Sequence, residues 1–390
     1  TGNCGISLAP LQTEEIPPPL DLIAQHPKHL FPTFSSYLEA LDLDPPAVNT
    51  AAQVGHSTLR IGVMDKLEHT ATKSEIALMR KQLEKSLECG AIGFSTGLYY
   101  QPAFNASTEE IISLAKTLRD TNAVHTTHMR NEGNSIEASL KETFRIGLES
   151  EIPVVISHHK VGGKRNFGKS KETLALIDQA RKQQPLGFDV YPYVASSTIL
   201  GVKGLESASR IIVTWSKKRP DVAGRDLFDI ADNMGCDVET AIQAISPAGA
   251  IYFMMHEDDV RNILSHPAAM IGSDGLPHDL HPHPRLWGTF PRVIGHYSRE
   301  IKLMSMEEAV RRMTSLPASQ FNLKGRGRID FGSYADLVLF NPEKIIDKAT
   351  FNEPTRNAAG IDLVMVNGRI TWDNNGSTGL RPGKVLRAHN

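Results

Sequence analysis

Between residues 72 and 191 the apolar positions switch repeatedly between two spacings. Ile76, Met79, Leu83 and Leu87 recur at three- and four-residue steps, the spacing of one helix face. They follow Thr72-Lys-Ser-Glu75, a threonine with a glutamate three residues on, which is the composition of a capping box. Gly90 supplies a C-terminal stop. The short run "AIGFST" then reads as a strand. Ser107-Thr-Glu-Glu110 repeats the capping pattern ahead of the helix "EEIISLAKTL". The strand "AVHTTH", the helix "SIEASLKETFRIGLES", the strand "IPVVISHH", the helix "KETLALIDQARKQ" and the strand "LGFDVYPY" complete the series.

Strand and helix alternating this often predict a parallel α/β sheet. Thr96, His128, His158 and Tyr191 stand 32, 30 and 33 residues apart. One βαβ unit takes about 30 residues, so these positions fall at the carboxyl ends of successive strands. Adding Cys4, His56 and Asp274 gives seven strand ends, where a (β/α)₈ barrel has eight. Between Tyr191 and Asp274 an insertion at about 194–268 carries the helix "DLFDIADNMG" and the strand "AIYFMM". The Pro-rich "EEIPPPLDLIAQHPKHLFPT" is expected to fold over the barrel mouth. The helix "SMEEAVRRMTSLPASQF" follows Asp274. From about residue 324 the texture becomes Gly-rich β structure, with a hairpin turn at Asn367-Gly368. The reading is therefore a barrel domain over 1–323 and a small β segment over 324–390.

Composition narrows the function classes. The 390 residues are 40% hydrophobic and 22% charged with net charge −2, which gives no electrostatic case for nucleic acid. Lys217-Lys218 and Arg311-Arg312 read as solvated faces. No apolar run has the length of a membrane-spanning helix, so no membrane partner is expected. Cys4, Cys89 and Cys236 are dispersed and odd in number; that suits a reducing, cytoplasmic setting rather than a disulfide framework. Cys89 and Cys236 are expected on helices, as packing residues. No feature predicts an oligomeric state.

Active sites of such barrels lie at the carboxyl ends of the strands, where Cys4, His128, His158 and Asp274 fall. Thiolate and imidazole together suit Zn²⁺, with three protein ligands and an open position in catalytic sites. A histidine at a strand end also serves as a packing group, and from spacing alone the two readings stand level. Alternation adds detail: if His158 points in, Lys160 does too, and Ser157 and His159 point out. His128 likewise takes Thr126 and Arg130 with it, and His125 is out of phase. His281 and His283 read as loop structure.

The segments "TGNCG", "THMRNEG", "SHHK", "DVYPYVASST", "IGSDGLPH" and "HPRLWGTFPRV" closely resemble the N-acyl-D-amino-acid deacylase (D-aminoacylase) family of the amidohydrolase superfamily. The resemblance runs from Thr1 to about Arg387. It implies a metal-dependent-hydrolase barrel, zinc-dependent hydrolysis of an N-acyl-D-amino acid, and a small-molecule substrate as the partner. It matches Cys4, His128 and His158 to the tight zinc ligands, and Asp274 to a catalytic aspartate that also touches a second, weaker metal. Lys160, Tyr191 and Arg285 match residues that hold the substrate carboxylate, with Ser197 nearby. Met255 matches a side-chain pocket position. "ADLVLFNP" and "VMVNGRITW" look like the second half of a small β-domain. Family members carry a first strand with His-x-His, which this sequence lacks. "TGNCG" is thus expected to be an internal segment exposed by truncation, and the second metal site is in doubt. Deacylases of N-acyl-D-glutamate or N-acyl-D-aspartate, cyclic-amide hydrolases and a non-catalytic scaffold remain as alternatives.

Overall fold

The computed structural model describes residues 1–388, so the last two residues of the expected C-terminal segment lie outside the described residues. Helix α1 (Phe34–Leu43) and the short β1 (Thr50–Ala51) precede the first strand of the main sheet, β2 (Gln53–Gly55). Then come α2 (His56–Val63), α3 (Lys73–Glu88) and β3 (Gly93–Gly97). The Thr72 capping box forms in both directions: Glu75 N–H donates to Thr72 Oγ1, and Thr72 N–H donates to the Glu75 carboxylate. Met79, Leu83 and Leu87 of α3 are buried, as the spacing predicts.

The second capping box forms only by half. Ser107 Oγ accepts the N–H of Glu110, in the first turn of α5 (Thr108–Ala115), which follows the short α4 (Gln101–Phe104). The Glu110 carboxylate does not return to Ser107, because it is bound to Arg60 and His56 of α2. The alternation continues through β4 (Val124–His128), α6 (Ile136–Ser150), β5 (Val154–Ile156), α7 (Ser170–Arg181) and β6 (Leu186–Val190). The insertion forms its own antiparallel sheet of β7 (Ala195–Ile199), β8 (Ile211–Ser216) and β9 (Ala248–Phe253), with β9 in the middle. Helices α8 (Leu227–Met234) and α9 (Val238–Ile245) pack on it through Leu227, Ile230, Ile242 and Ile245. Cys236 lies between these helices and Cys89 just past α3, so neither sits on a helix as expected.

After α10 (Glu257–Ser265), strand β10 (Ala269–Ile271) rejoins the main sheet, whose order is β10-β6-β5-β4-β3-β2 with every pairing parallel. Six of the seven expected strand ends therefore belong to one parallel sheet. Cys4 instead occupies a turn. The backbone before it lies along β1 and β2, with the Thr1 ammonium on Ala51 O and Gln53 N–H on Thr1 O. One face of the sheet packs on the helices through Phe94, Ile156 and Phe188. The other carries Val124, Val155 and Met270, and polar Thr126, whose hydroxyl contacts Asn3 and Gln53.

Helix α11 (Arg285–Arg292) runs into a π-helical stretch, Val293–Glu300. The helix expected next is broken at Thr314 (φ −130°, ψ −87°) into α12 (Met306–Met313) and α13 (Ser315–Gln320). Arg312 is buried rather than solvated. It donates to the Glu308 carboxylate and to the carbonyls of Leu264 and Ser265, which closes the C-terminal end of α10. The Pro-rich segment packs Leu20, Leu22 and Leu30 against Ile199 and Trp215 of the insertion and against Leu276. The remaining strands, β11 (Leu337–Phe340), β12 (Ile361–Val366), β13 (Arg369–Asp373) and β14 (Gly376–Ser377), form an antiparallel sheet in sequence order. Asn367-Gly368, both at positive φ, turn β12 into β13. Leu337, Val338 and Leu339 of β11 are exposed. Strand β15 (Val385–Leu386) returns to pair with β1.

Candidate metal centre

The Cys4 turn sits on β3 because β3 offers it almost no side chains. Gly93, Ser95 and Gly97 alternate on that face of the strand. A Cβ at Gly97 would lie 2.1 Å from Cys4 O, so only glycine admits the turn. The Ser95 hydroxyl accepts from Gly5 N–H and donates to Gly2 O, pinning the loop on both sides of the cysteine. His128 is the last residue of β4, in phase with Val124 and Thr126. Its ring packs against both Tyr99 and Tyr100, with centroids 5.6 and 5.0 Å away.

His158 lies beyond β5, and its backbone is left-handed (φ 39°). This resets the alternation. Ser157 turns inward to Asn3 Oδ1, against expectation. His158 then also points to the centre, His159 points out to Thr173, and Lys160 returns inward. Asp189 Oδ1 accepts the His158 N–H at 2.9 Å and holds this conformation. His158 Nε2 lies 3.1 Å from Cys4 Sγ, and a ring nitrogen of His128 completes a trio of donor atoms within 4.8 Å of one another. Among the described residues no other such group of three forms. Burial pushes the His128 imidazole down to about 3, so it is neutral with a lone pair to offer.

Asp274 lies three residues past β10. It shares with His158, Asn3 and Asp189 the lining of a cavity of about 160 Å³. Its Oδ2 is 2.9 Å from Arg285 Nη1, out of line for a hydrogen bond. Burial works to raise the Asp274 carboxyl, but the cations, Arg285 foremost, hold it below its ordinary range. Cys4 (φ 52°), His158 and Asp274 (φ 47°) all have left-handed backbones. Each such residue costs on the order of 1–3 kcal/mol, and clustering of that strain marks functional sites.

The fully buried Arg285 donates to Ser197 O at 3.2 Å and stacks over Tyr191 at 4.7 Å. Its Nε, the Tyr191 hydroxyl and the Ser197 hydroxyl are buried without a protein partner. Buried donors of this kind can serve an acceptor that is not part of the protein. Lys160 Nζ lies 5.5 Å from the Tyr191 ring centroid but donates to Glu132 Oε1 at 2.7 Å. Met255 packs behind Lys160 and Tyr191, in a space of about 10 Å³ shared with Val190 and Val260. Arg130 does not follow His128 inward. Strand β4 ends at His128, and Arg130 turns to Glu142 and to the carbonyls of Phe104 and Ala106. His281 and His283 contact the carbonyls of Phe351 and Ala195, in line with the loop reading.

The Amidohydrolase family model matches residues 220–372. The chain is 52% identical over 386 residues to a D-aminoacylase of Alcaligenes xylosoxydans xylosoxydans, covering 99% of this chain and 80% of that protein. It is 47% identical to an N-acyl-D-aspartate deacylase of the same organism, over 99% of this chain and 78% of the other. A solved N-acyl-D-glutamate deacylase from Bordetella bronchiseptica, complexed with zinc and a phosphonate mimic of the reaction's tetrahedral intermediate, superposes with a TM-score of 0.96. That match has 45% identity and covers 99% of this chain and 81% of the other. The chain belongs to the N-acyl-D-amino-acid deacylases.

Three residues at the centre of this deacylase-family chain escaped sequence reasoning. Glu132 lies four residues past His128, and its carboxylate contacts His158 and Lys160. Lys160, His128 and His158 hold it far below the usual carboxylate range although burial opposes them. Asp189, near the end of β6, is pushed up to about 6 by burial. Tyr100 packs on His128 and bonds Thr198 across the mouth at 2.9 Å. The signal for Glu132 was its place in "THMRNEG", where an acidic residue follows a candidate ligand by four.

Proposed function

We propose that this chain hydrolyses the amide bond of N-acyl-D-amino acids, giving a carboxylate and a free D-amino acid, at a zinc site held by Cys4, His128 and His158. The observation that carries the reading is the meeting of two donor sets at Asp274. The Cys4–His128–His158 trio lies on one side and the Arg285–Tyr191–Ser197 group on the other. One soft thiolate and two imidazoles fit zinc, and the buried, unpartnered Nδ1 of His128 leaves that ring free to ligate through either nitrogen. When bound there, zinc supplies Lewis acidity toward the acyl oxygen and toward water.

The chain's own groups do the rest. Asp274, ionised at neutral pH, takes the proton of the attacking water and returns it to the departing amine. Arg285 Nε and the Tyr191 and Ser197 hydroxyls receive the α-carboxylate, and that anchor sets the acyl carbon against Asp274. Lys160 adds positive charge beneath the Tyr191 ring. Met255 backs this wall with an apolar side chain, which favours an uncharged substrate side chain over an acidic one. The parallel sheet is proposed as an arc of a (β/α)₈-type barrel, to which residues 1–323 contribute with the insertion at about 194–268, and the small β segment follows from 324. Three free thiols support a cytoplasmic setting.

The test is hydrolysis of N-acetyl-D-leucine, N-acetyl-D-glutamate, N-acetyl-D-aspartate and N-acetyl-L-leucine by zinc-replete and chelator-treated protein. Turnover of the D-leucine compound that falls on chelation and returns with zinc is expected. No turnover of any D-substrate by zinc-replete protein would refute the reading, and preference for an acidic side chain would move it to the sibling activities. Within the same assay, Arg285→Lys should raise KM by on the order of tenfold or more with kcat within a few-fold, since an ammonium cannot reproduce the planar fork. An unchanged KM would remove Arg285 from the carboxylate site.

A further inference from the structure

Glu132 stands behind the donor trio, and its role rests on the zinc reading of Cys4, His128 and His158. The residue lies beyond the end of β4, and its side chain turns back beneath the trio, 12% exposed. Oε1 is 3.0 Å from His158 Nδ1 and accepts from Lys160 Nζ at 2.7 Å. Oε2 is 3.6 Å from His128 Nε2. Lys160 Nζ is itself 2.6 Å from His158 Nδ1. A carboxylate and an ammonium thus meet at one ring nitrogen.

Imidazole ligates through the nitrogen that carries no proton, and the partner of the other nitrogen decides which one that is. His158 directs Nε2 at Cys4 Sγ, 3.1 Å away. With its proton on Nδ1, the ring donates to Glu132 and presents a free lone pair beside the sulfur. With its proton on Nε2, the ring accepts from Lys160 and points N–H at the sulfur, where it cannot ligate. Glu132 and Lys160 therefore pull the ring toward opposite tautomers. The backbone is not the variable, because Asp189 fixes it through the His158 N–H.

We propose that Glu132 is a positioning residue of the metal centre: it selects the His158 tautomer that ligates through Nε2, and it holds Lys160 away from capturing Nδ1. The same oxygen performs both tasks. Lys160 is thereby held by Glu132 until a substrate carboxylate competes for it. A carboxylate behind a metal-bound histidine is worth about 10–100-fold in metal affinity, which sets the size of the expected effect.

The experiment measures zinc affinity by competition with a chromophoric chelator for the wild-type chain, Glu132→Ala, Glu132→Gln and Glu132→Ala/Lys160→Met. The zinc-loaded wild type is also examined by ¹⁵N NMR of His158. The expected results are a rise in Kd of about 10–100-fold for Glu132→Ala and partial recovery when Lys160→Met is added. Nδ1 should be protonated and Nε2 metal-bound in the loaded protein. Glu132→Gln keeps the shape and an acceptor oxygen, so it reports on the charge alone should the alanine variant fold poorly, and a smaller rise is expected. Zinc binding that is indifferent to Glu132, or ligation through Nδ1, would overturn the positioning role while leaving the zinc reading intact. Failure of the wild-type chain to bind zinc at all would overturn both.

Discussion

Asp274→Asn should lower kcat by about 10²–10⁴-fold, the range that a positioned general acid–base contributes, while KM holds or falls. The asparagine has the same shape and can occupy the same left-handed backbone, since short polar side chains tolerate that region. It can neither take the proton of the attacking water nor return one to the leaving amine. The effect on binding follows from Arg285. Asp274 Oδ2 stands 2.9 Å from Arg285 Nη1 and is the carboxylate nearest to that buried cation. Once it is neutral, the guanidinium has more charge to offer an incoming carboxylate, so ground-state binding strengthens. Steady-state kinetics on zinc-loaded protein, with zinc content checked in each preparation, separates the two effects. A rise in KM with kcat preserved would make Asp274 part of the binding wall and would leave the proton transfer without a residue.

The two histidines of the trio are legible in the sequence because strand spacing is a long-range signal, whereas Cys4, which occupies a turn, is marked as a ligand only by the family resemblance. Repeats of 30 to 33 residues put His128 and His158 at equivalent heights, whatever the details of either loop. Whatever depends on where a strand stops is not legible. An inward Arg130 requires β4 to continue two residues past its actual end. An outward Ser157 would require His158 itself to stand on the inward phase of the strand. The alternation from Val155 instead carries Ser157 inward, and nothing local announces that His158 will adopt φ 39° and point inward as well. That conformation is imposed by Asp189 from the neighbouring strand, a contact that exists only after the sheet has formed. Glu110 shows the same limit from another side. Its sequence context is a complete capping box, yet a buried arginine 50 residues earlier competes for the carboxylate and prevails. Local rules hold where the side chain is exposed, as at Thr72, and yield where a buried charge needs a partner. Breaks such as Thr314 are invisible for a related reason: α12 is fixed by Arg312 reaching into the end of α10, not by its own sequence.

The buried arginine also carries the largest stability effect expected of a single substitution. Arg60 has no exposed surface, and its three donor groups are all used. Nε donates to Pro102 O at 2.6 Å, Nη1 to Glu110 Oε1 at 2.5 Å and Nη2 to His69 O at 2.7 Å. It thereby joins α2, α4, α5 and the loop before α3. Glu110→Ala would leave this cation in the core without a counter-charge, and breaking a buried pair from one side costs about 3–5 kcal/mol. Replacing both partners, as Arg60→Met/Glu110→Leu, should cost much less, because the penalty belongs to the stranded charge.

The pH dependence gives an independent check on this cluster. Burial opposes ionisation of Glu110, but His56 and Arg60 lower its carboxyl from 4.5 to about 2. A carboxyl depressed in the folded state contributes stability that is fully present above the unfolded value. That stability is lost as the pH falls from about 4.5 through about 2, and a shift of this size corresponds to about 3 kcal/mol. His56, pushed below its ordinary 6.5 mainly by burial, acts in the same direction but begins earlier, because the unfolded chain takes up its proton as the pH drops through 6.5. Urea unfolding of the wild type should therefore weaken in two stages, beginning near pH 6.5 and again below pH 4.5. The double variant should show a smaller second stage, because Glu132 and Asp274, which are also held low in the folded state, keep their share of it. A double variant as unstable as Glu110→Ala at neutral pH would show that the cluster stabilises through its hydrogen-bond geometry rather than through charge balance.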